Sequence, residues 1–232
     1  MKILAIIPAR SGSKGLKDKN IKPLCGLPLC AYTINAAKES GIFDEIHFST
    51  DSEQYAEIAK QYGASVPFLR DASLATDTAS TWDVIKAVIA RYKENGKSFD
   101  AVMLLQPTTP FRDSRDIRNA YELLCEKNAQ AIVSVTEPAH SPVLCAELPE
   151  DGNMEVYHHK MKNLIARQQL KPQVTLNGAI YFFRVEHLLT RSDIYECGGY
   201  AYHMPRERSY DIDSPLDFKQ AEFVLQEQLK GK

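Results

Sequence analysis

Arg10, Ser11, Gly12, Ser13, Lys14 and Gly15 follow directly on the apolar run Ile3-Leu4-Ala5-Ile6-Ile7, with Lys17, Lys19 and Lys22 close behind. A loop of small residues leaving a buried strand can turn its backbone amides toward an anion. Gly12 and Gly15 permit backbone angles or close approaches that a side chain forbids. Arg10, Lys14 and Lys19 supply positive charge. The chemistry that this combination could do is to cradle the polyphosphate of a nucleotide. It is not a P-loop, because G-x-x-x-x-G-K-[ST] is absent, and Gly12 and Gly15 lack the third glycine of the dinucleotide fingerprint. A solvated basic turn is the alternative reading of the loop taken alone.

Four further clusters carry possible chemistry. Asp211 and Asp213 stand two apart on a segment that reads as extended, so both carboxylates reach the same side and could hold a hard divalent cation. Capping the helix that starts after Ser214 is their other possible use. Gln106 ends an apolar run and opens the Pro-stiffened segment Pro107-Thr108-Thr109-Pro110, where its amide offers both a donor and an acceptor to a polar ligand. Arg70, with Thr76, Asp77, Thr78, Ala79, Ser80 and Thr81 behind it, could read a base edge, or the same residues could simply start a helix. Arg167 offers a planar fork suited to a carboxylate, and Asn177-Gly178-Ala179-Ile180-Tyr181 reads as a strand with a glycine kink.

These residues need a scaffold, and the chain alternates strand and helix signals through its first 136 residues. Strands are expected at 2–8, 45–50, 66–69, 101–105 and 131–135. Helices are expected from Pro28 to Ser40, Glu53 to Tyr62, Thr78 to Lys93 and Asp113 or Ser114 to Glu126. Repeated strand–helix units predict an α/β fold: a three-layer, doubly wound, mostly parallel sheet with helices on both faces. Ligands on such sheets sit beyond the carboxyl ends of the strands, where Arg10–Gly15 and Gln106–Pro110 fall. From 137 to 175 the pattern breaks, with Pro138, Pro142, Pro149 and Pro172 and weak periodicity. That segment reads as an inserted arm or small subdomain, with a second copy of the chain as one source of its core. Strands at 176–183 and 199–204 and a helix from Pro215 to about Leu229, capped by Ser214, complete a single domain over 1–232.

Bulk composition narrows the function classes. A net charge of −2 and a pI near 6.3 imply no general affinity for nucleic acid or membrane surfaces. The five cysteines are odd in number and form no C-x-x-C pair, which suits a reducing cytoplasm and argues against a disulfide framework or zinc knuckle. No stretch reaches the length of a membrane span.

Together the clusters resemble the acylneuraminate cytidylyltransferases, the CMP-sialic acid and CMP-nonulosonic acid synthetases. Ile7-Pro8-Ala9-Arg10-Ser11-Gly12-Ser13-Lys14-Gly15 with Lys19-Asn20 is similar to the family's nucleotide loop. Leu104-Leu105-Gln106-Pro107-Thr108-Thr109-Pro110 and Asn177-Gly178-Ala179-Ile180-Tyr181 resemble its central motifs, and Asp211-Ile212-Asp213 its metal motif. They occur in family order over nearly the whole chain. The Kdo cytidylyltransferases share the opening but not the Gln-Pro-Thr-x-Pro segment, which favours a nine-carbon acid. The resemblance implies transfer of CMP from CTP to the anomeric hydroxyl of a nonulosonic acid, with release of pyrophosphate. It implies that Arg10, Ser13, Lys14 and Lys19 hold the triphosphate, while Asn20, Arg70, Ala79 and Thr81 line the ribose and cytosine pocket. Gln106, Arg167, Asn177 and Tyr181 would face the sugar, and Asp211 and Asp213 would bind Mg2+. Arg10, Lys19 and Asp211 would be catalytic, Asp211 by accepting the hydroxyl proton. A cytoplasmic homodimer with crossing arms is also implied. Two departures fall on the sugar side. His140-Ser141-Pro142 leads to Val143-Leu144-Cys145 without the family's lysine, and Pro172 stands one place late after Arg167-Gln168-Gln169. They weaken the assignment to N-acetylneuraminate and leave legionaminate, pseudaminate or another relative open.

Overall fold

The structure is a computed structural model that describes residues 1–232 except 14, 77, 163–171, 192–194, 197 and 231–232, and describes 143, 159–162 and 229 by their backbone alone. Lys14 and Arg167 therefore lie outside the described residues.

The first strand, β1 (Ile3–Pro8), is buried on both faces, which is why its sequence runs apolar without alternating. Ile3, Ala5 and Ile7 point into one core and Leu4 and Ile6 into the other. After the basic loop comes a two-stranded ribbon absent from the sequence expectation, β2 (Pro23–Leu24) and β3 (Leu27–Pro28). Its two-residue turn holds Cys25 at φ 45° and Gly26 at φ 88°, the left-handed angles that match strand twist. Helix α1 (Leu29–Ser40) starts one residue later than expected, because Pro28 closes the ribbon. It ends at Gly41, as read from the sequence.

β4 (Glu45–Ser49) and α2 (Glu53–Gln61) follow, with Ser52 capping α2 through the Tyr55 amide. The expected strand at 66–69 does not form. A single parallel bridge, His47 to Ser65, is all that pairs there. The next ladder donor would be residue 67, and Pro67 has no N–H to give. α3 (Thr81–Glu94) begins three residues later than expected, because Ser80 rather than an earlier hydroxyl accepts from the first turn, at Trp82 N. β5 (Ala101–Leu104), α4 (Ser114–Glu126) and β6 (Ala131–Thr136) fall close to their expected places, and Asp113 and Asp116 close a reciprocal capping box on α4. Within the irregular segment lies α5 (Glu155–Lys162). β7 (Thr175–Arg184), a short α6 (Val185–Thr190), β8 (Gly199–His203) and α7 (Pro215–Lys230) complete the chain.

Six strands form one sheet in the order β4-β1-β5-β7-β6-β8. β7 runs antiparallel to both neighbours, and the remaining pairs are parallel. α1, α2 and α4 cover one face, and α3 and α6 the other. This is the doubly wound, Rossmann-like α/β sheet that the sequence predicted. Chain order reverses between β1 and β5, so the loops leaving their carboxyl ends border one crevice. A satellite core of Leu24, Leu29, Phe111, Ile212, Phe218 and Ala221 ties the ribbon and α7 to that end of the sheet.

Candidate active site

A cleft of about 530 Å³ opens at this switch point. Arg10, Ser13, Gly15, Lys19 and Asn20 line it from the β1 loop, and Arg70, Ala79 and Thr81 from the region before α3. All of the described residues expected on the nucleotide side thus meet in one place, although up to 71 positions separate them in sequence. The loop is held by its own polar contacts. Asp51, at the end of β4, accepts from both the Ser11 amide and hydroxyl at 2.7 Å. Burial opposes ionisation there, yet these hydrogen bonds hold the Asp51 pKa below its usual value. Asn20 is buried and donates to the Arg10 carbonyl at 3.3 Å, so it shapes the loop from beneath. Arg70 is held by two bonds to Ser49, one to its hydroxyl and one to its carbonyl. Burial lowers the Arg70 pKa to about 10, opposed by Asp51 and reinforced by Arg10, so it remains a cation at neutral pH.

The aspartate segment crosses the foot of the cleft. Ile212 is fully buried in the satellite core, and its amide donates to the Thr108 carbonyl at 2.9 Å. Asp211 and Asp213 therefore both turn outward, as extended geometry requires. Lys19 is fixed against this segment by its ammonium, which bonds the Ile212 carbonyl at 2.7 Å and Asp213 Oδ1 at 3.0 Å. Gly15 also faces it: a Cβ there would sit 2.5 Å from the Asp213 carbonyl oxygen. Close approach is the reason for this glycine. Crowding by surrounding protein pushes the Asp211 pKa upward, and the Asp213 carboxylate adds to the rise, while Thr108 and Lys19 oppose it. Asp211 is nonetheless open to solvent, so its crowding is that of a concave wall and not of a sealed interior. Capping falls to other groups: Ser214 and Asp217 bond each other's amides at the start of α7.

A second cleft of about 360 Å³ adjoins the first. Gln106 lines both; Asp213 faces the first and Asp211 the second. Asn177 and Tyr181 line the second cleft, but they differ in kind. The Asn177 amide is already committed: it accepts from Ser134 Oγ at 2.6 Å and from the Ala179 amide, and it donates to Ser209 Oγ at 2.9 Å. It builds the wall, whereas Tyr181 is half-buried against Trp82. The wall exists because β7 bulges. Its ladder with β6 jumps from Val133–Tyr181 to Val135–Leu176, and Gly178 takes φ 73° in the gap.

Sequence reasoning did not single out Arg112, Thr136 or Arg206. Arg112 is 2% exposed, and it donates to the Gln106 and Ala179 carbonyls, Thr109 Oγ1 and Thr33 Oγ1, pinning the Gln106 loop to β7 and α1. Its place in the Gln-Pro-Thr-Thr-Pro-Phe-Arg run was the available signal. Thr136 and Arg206 line the second cleft, from β6 and from the turn after β8. Neither belongs to a recognisable motif.

The family model described as Cytidylyltransferase matches residues 4–230. The chain belongs to the cytidylyltransferase family. It is 37% identical to the CMP-N,N'-diacetyllegionaminic acid synthase of Legionella pneumophila, over 97% of both chains. It is 34% identical to a pseudaminic acid cytidylyltransferase of Campylobacter jejuni, over 97% of this chain and 96% of that one. To the N-acylneuraminate cytidylyltransferase of Escherichia coli it is 38% identical across its whole length, which is 54% of that protein. In fold it is similar to a CMP:2-keto-3-deoxy-manno-octonic acid synthetase solved with CTP, at a TM-score of 0.73 and 13% identity over 98% of this chain and all of that one. Among the described residues of this family member, no helix is long and apolar enough to cross a membrane.

Proposed function

We propose that this cytidylyltransferase moves CMP from CTP to the anomeric hydroxyl of a nonulosonic acid, with CTP in the first cleft and the acid in the second. The observation that carries the reading is the junction of the two clefts. Gln106 borders both, and the paired aspartates present one carboxylate to each. The relatives named above act, by their names, on legionaminic, pseudaminic and acylneuraminic acids at nearly equal identity. That supports the class of acid and singles out none of the three.

In this reaction the anomeric oxygen attacks the α-phosphorus, the bond from that phosphorus to the bridging oxygen breaks, and pyrophosphate leaves. Arg10 and Lys19 neutralise charge on the triphosphate, the main work in such a transfer, and Arg70 serves the ribose and cytosine end. Lys14, next to Ser13 in the sequence, adds further charge; Ser13 lines the cleft for the triphosphate, and Asn20 shapes the loop. Ala79 and Thr81 line the nucleoside end. Asp211 takes the hydroxyl proton, directly or through a water, and its upward-shifted pKa suits that task. Gln106, Tyr181, the Asn177 wall and Arg167 orient the acid.

Two outward carboxylates, of which Asp213 raises the proton affinity of Asp211, fit a divalent cation such as Mg2+, whose remaining ligands would be phosphate oxygens and water. When bound, that ion supplies charge neutralisation at the triphosphate. The 137–175 arm leaves Leu144, Leu148, Met154 and Val174 exposed, with Leu176 just past its end. A second copy of the chain, forming a homodimer in the cytoplasm, covers them.

The test is pyrophosphate release from each of the four nucleoside triphosphates, with and without a 2-keto acid. CTP with a nonulosonic acid should be the productive pair. Turnover that requires a sugar phosphate instead would replace this reading with a hexose-phosphate nucleotidyltransferase.

A further inference from the structure

The second cleft is lined by two carboxylates, Glu137 and Asp211, and by a single cation among its described residues, Arg206. An acceptor that itself carries a carboxylate meets a repulsive wall there unless a cation faces it. Arg206 sits at the start of a short 3-10 turn after β8, and its backbone carbonyl is used to close that turn. Its guanidinium makes no ion pair or hydrogen bond with any described residue. Arg208, two positions on, is the opposite case, bound to Asp116 at 2.6 Å and Asp113 at 3.2 Å. One arginine of this turn anchors it to α4, and the other is left facing the cleft.

A second observation in the same cleft also points to a ligand. Thr136, at the end of β6, is 6% exposed, and its hydroxyl is buried without a hydrogen-bond partner. A buried hydroxyl without a partner costs stability, so such a group at a cleft wall marks a place where a ligand can satisfy it.

We propose that Arg206 binds the carboxylate of the acceptor acid, with the Thr136 hydroxyl bonding a polar oxygen of the same molecule, and that this pair sets the preference for acidic over neutral sugars. The inference rests on the assignment of the second cleft to the acceptor. A planar guanidinium holds a carboxylate by two parallel bonds, which an ammonium cannot reproduce.

The experiment compares a nonulosonic acid that the unaltered enzyme uses with its neutral C1 methyl ester. The enzyme should prefer the acid, and Arg206→Met should erase that preference by raising KM for the acid about tenfold or more while leaving KM for CTP and the melting temperature unchanged. Arg206→Lys should recover part of the loss. Thr136→Val should raise KM for the acid about severalfold without lowering the melting temperature, because the hydroxyl it removes bonds nothing in the protein. If Arg206→Met retains full preference for the acid, the proposal is overturned, and loss of that preference in Arg167→Met alone would transfer the role to Arg167. Failure of the unaltered enzyme to use any nonulosonic acid would instead overturn the acceptor assignment itself, a separate result.

Discussion

Gln106 and Gly178 are in such close register that a Cβ on residue 178 would lie 2.5 Å from Gln106 Oε1. The glycine lets the side chain that borders both clefts lie flat against β7. Its φ of 73° makes a second demand for glycine at the same position.

Gly178→Ala should therefore act twice. The left-handed backbone should cost about 1–2 kcal/mol of stability, and the displaced Gln106 should lower kcat/KM for the acceptor by more than that loss explains. Thermal melts alongside steady-state kinetics separate the two effects. A stability loss with normal acceptor kinetics would show that Gln106 does not orient the acid.

Lys19→Ala and Arg10→Ala should each reduce turnover by orders of magnitude and leave the fold intact, because each removes a charge aimed at the transferring phosphate. Lys19 also tethers residues 212 and 213 at 2.7 and 3.0 Å. Its loss should consequently weaken metal dependence as well, which Arg10→Ala should not do. Turnover like that of the unaltered enzyme in both variants would remove the phosphate cradle from the account.

Asp213→Asn should abolish Mg2+-dependent activity, and Asp211→Asn should reduce it severely. Titrating Mg2+ at saturating CTP measures both. Since Ser214 and Asp217 already cap α7, neither variant should melt appreciably earlier. A fall in melting temperature without a change in metal dependence would make the pair a structural cap.

His47 provides a pH signature independent of catalysis. It is almost fully buried between Phe68 and Tyr92, and burial lowers its pKa from 6.5 to about 4, with Glu45 opposing and Arg70 reinforcing. The unfolded chain binds a proton across that window and the folded chain does not. Stability should accordingly rise with pH between about 4 and 6.5 and be lost as pH falls through it, by on the order of 3 kcal/mol in total. Denaturant titrations of the native chain and of His47→Gln at several pH values should show a flatter dependence in the variant.

The sheet was legible in the sequence because Ile3–Ile7 and Ala101–Leu105 are buried on both faces and so read as unbroken apolar runs. The expected strand at 66–69 missed a signal that was present, the missing donor of Pro67. The β2–β3 ribbon and the six-residue α6 are too short for periodicity to reveal. Around the clefts, candidates that stand in consecutive residues, such as those of the Arg10–Gly15 run and Asp211 and Asp213, could be picked out of the sequence, and their members Arg10, Ser13, Gly15, Asp211 and Asp213 line the clefts. Arg112, Thr136 and Arg206 could not be picked out. Their roles arise from burial or from a missing partner, properties that only the folded neighbourhood creates. Asn177 shows the converse, a polar residue that reads as a ligand contact while its amide is bound to Ser134, Ala179 and Ser209.

Passage of CMP from CTP in the first cleft to an acid in the second would leave two products in equal amount. Mass spectrometry of products formed from CTP and a panel of nonulosonic acids, with pyrophosphate measured in the same samples, tests it most directly. A CMP-conjugate of at least one nine-carbon acid is expected, formed in equal amount with pyrophosphate, lost in Asp213→Asn and severely reduced in Asp211→Asn. CTP binding with no conjugate from any acid of the panel, or a conjugate formed from a sugar phosphate, would contradict it.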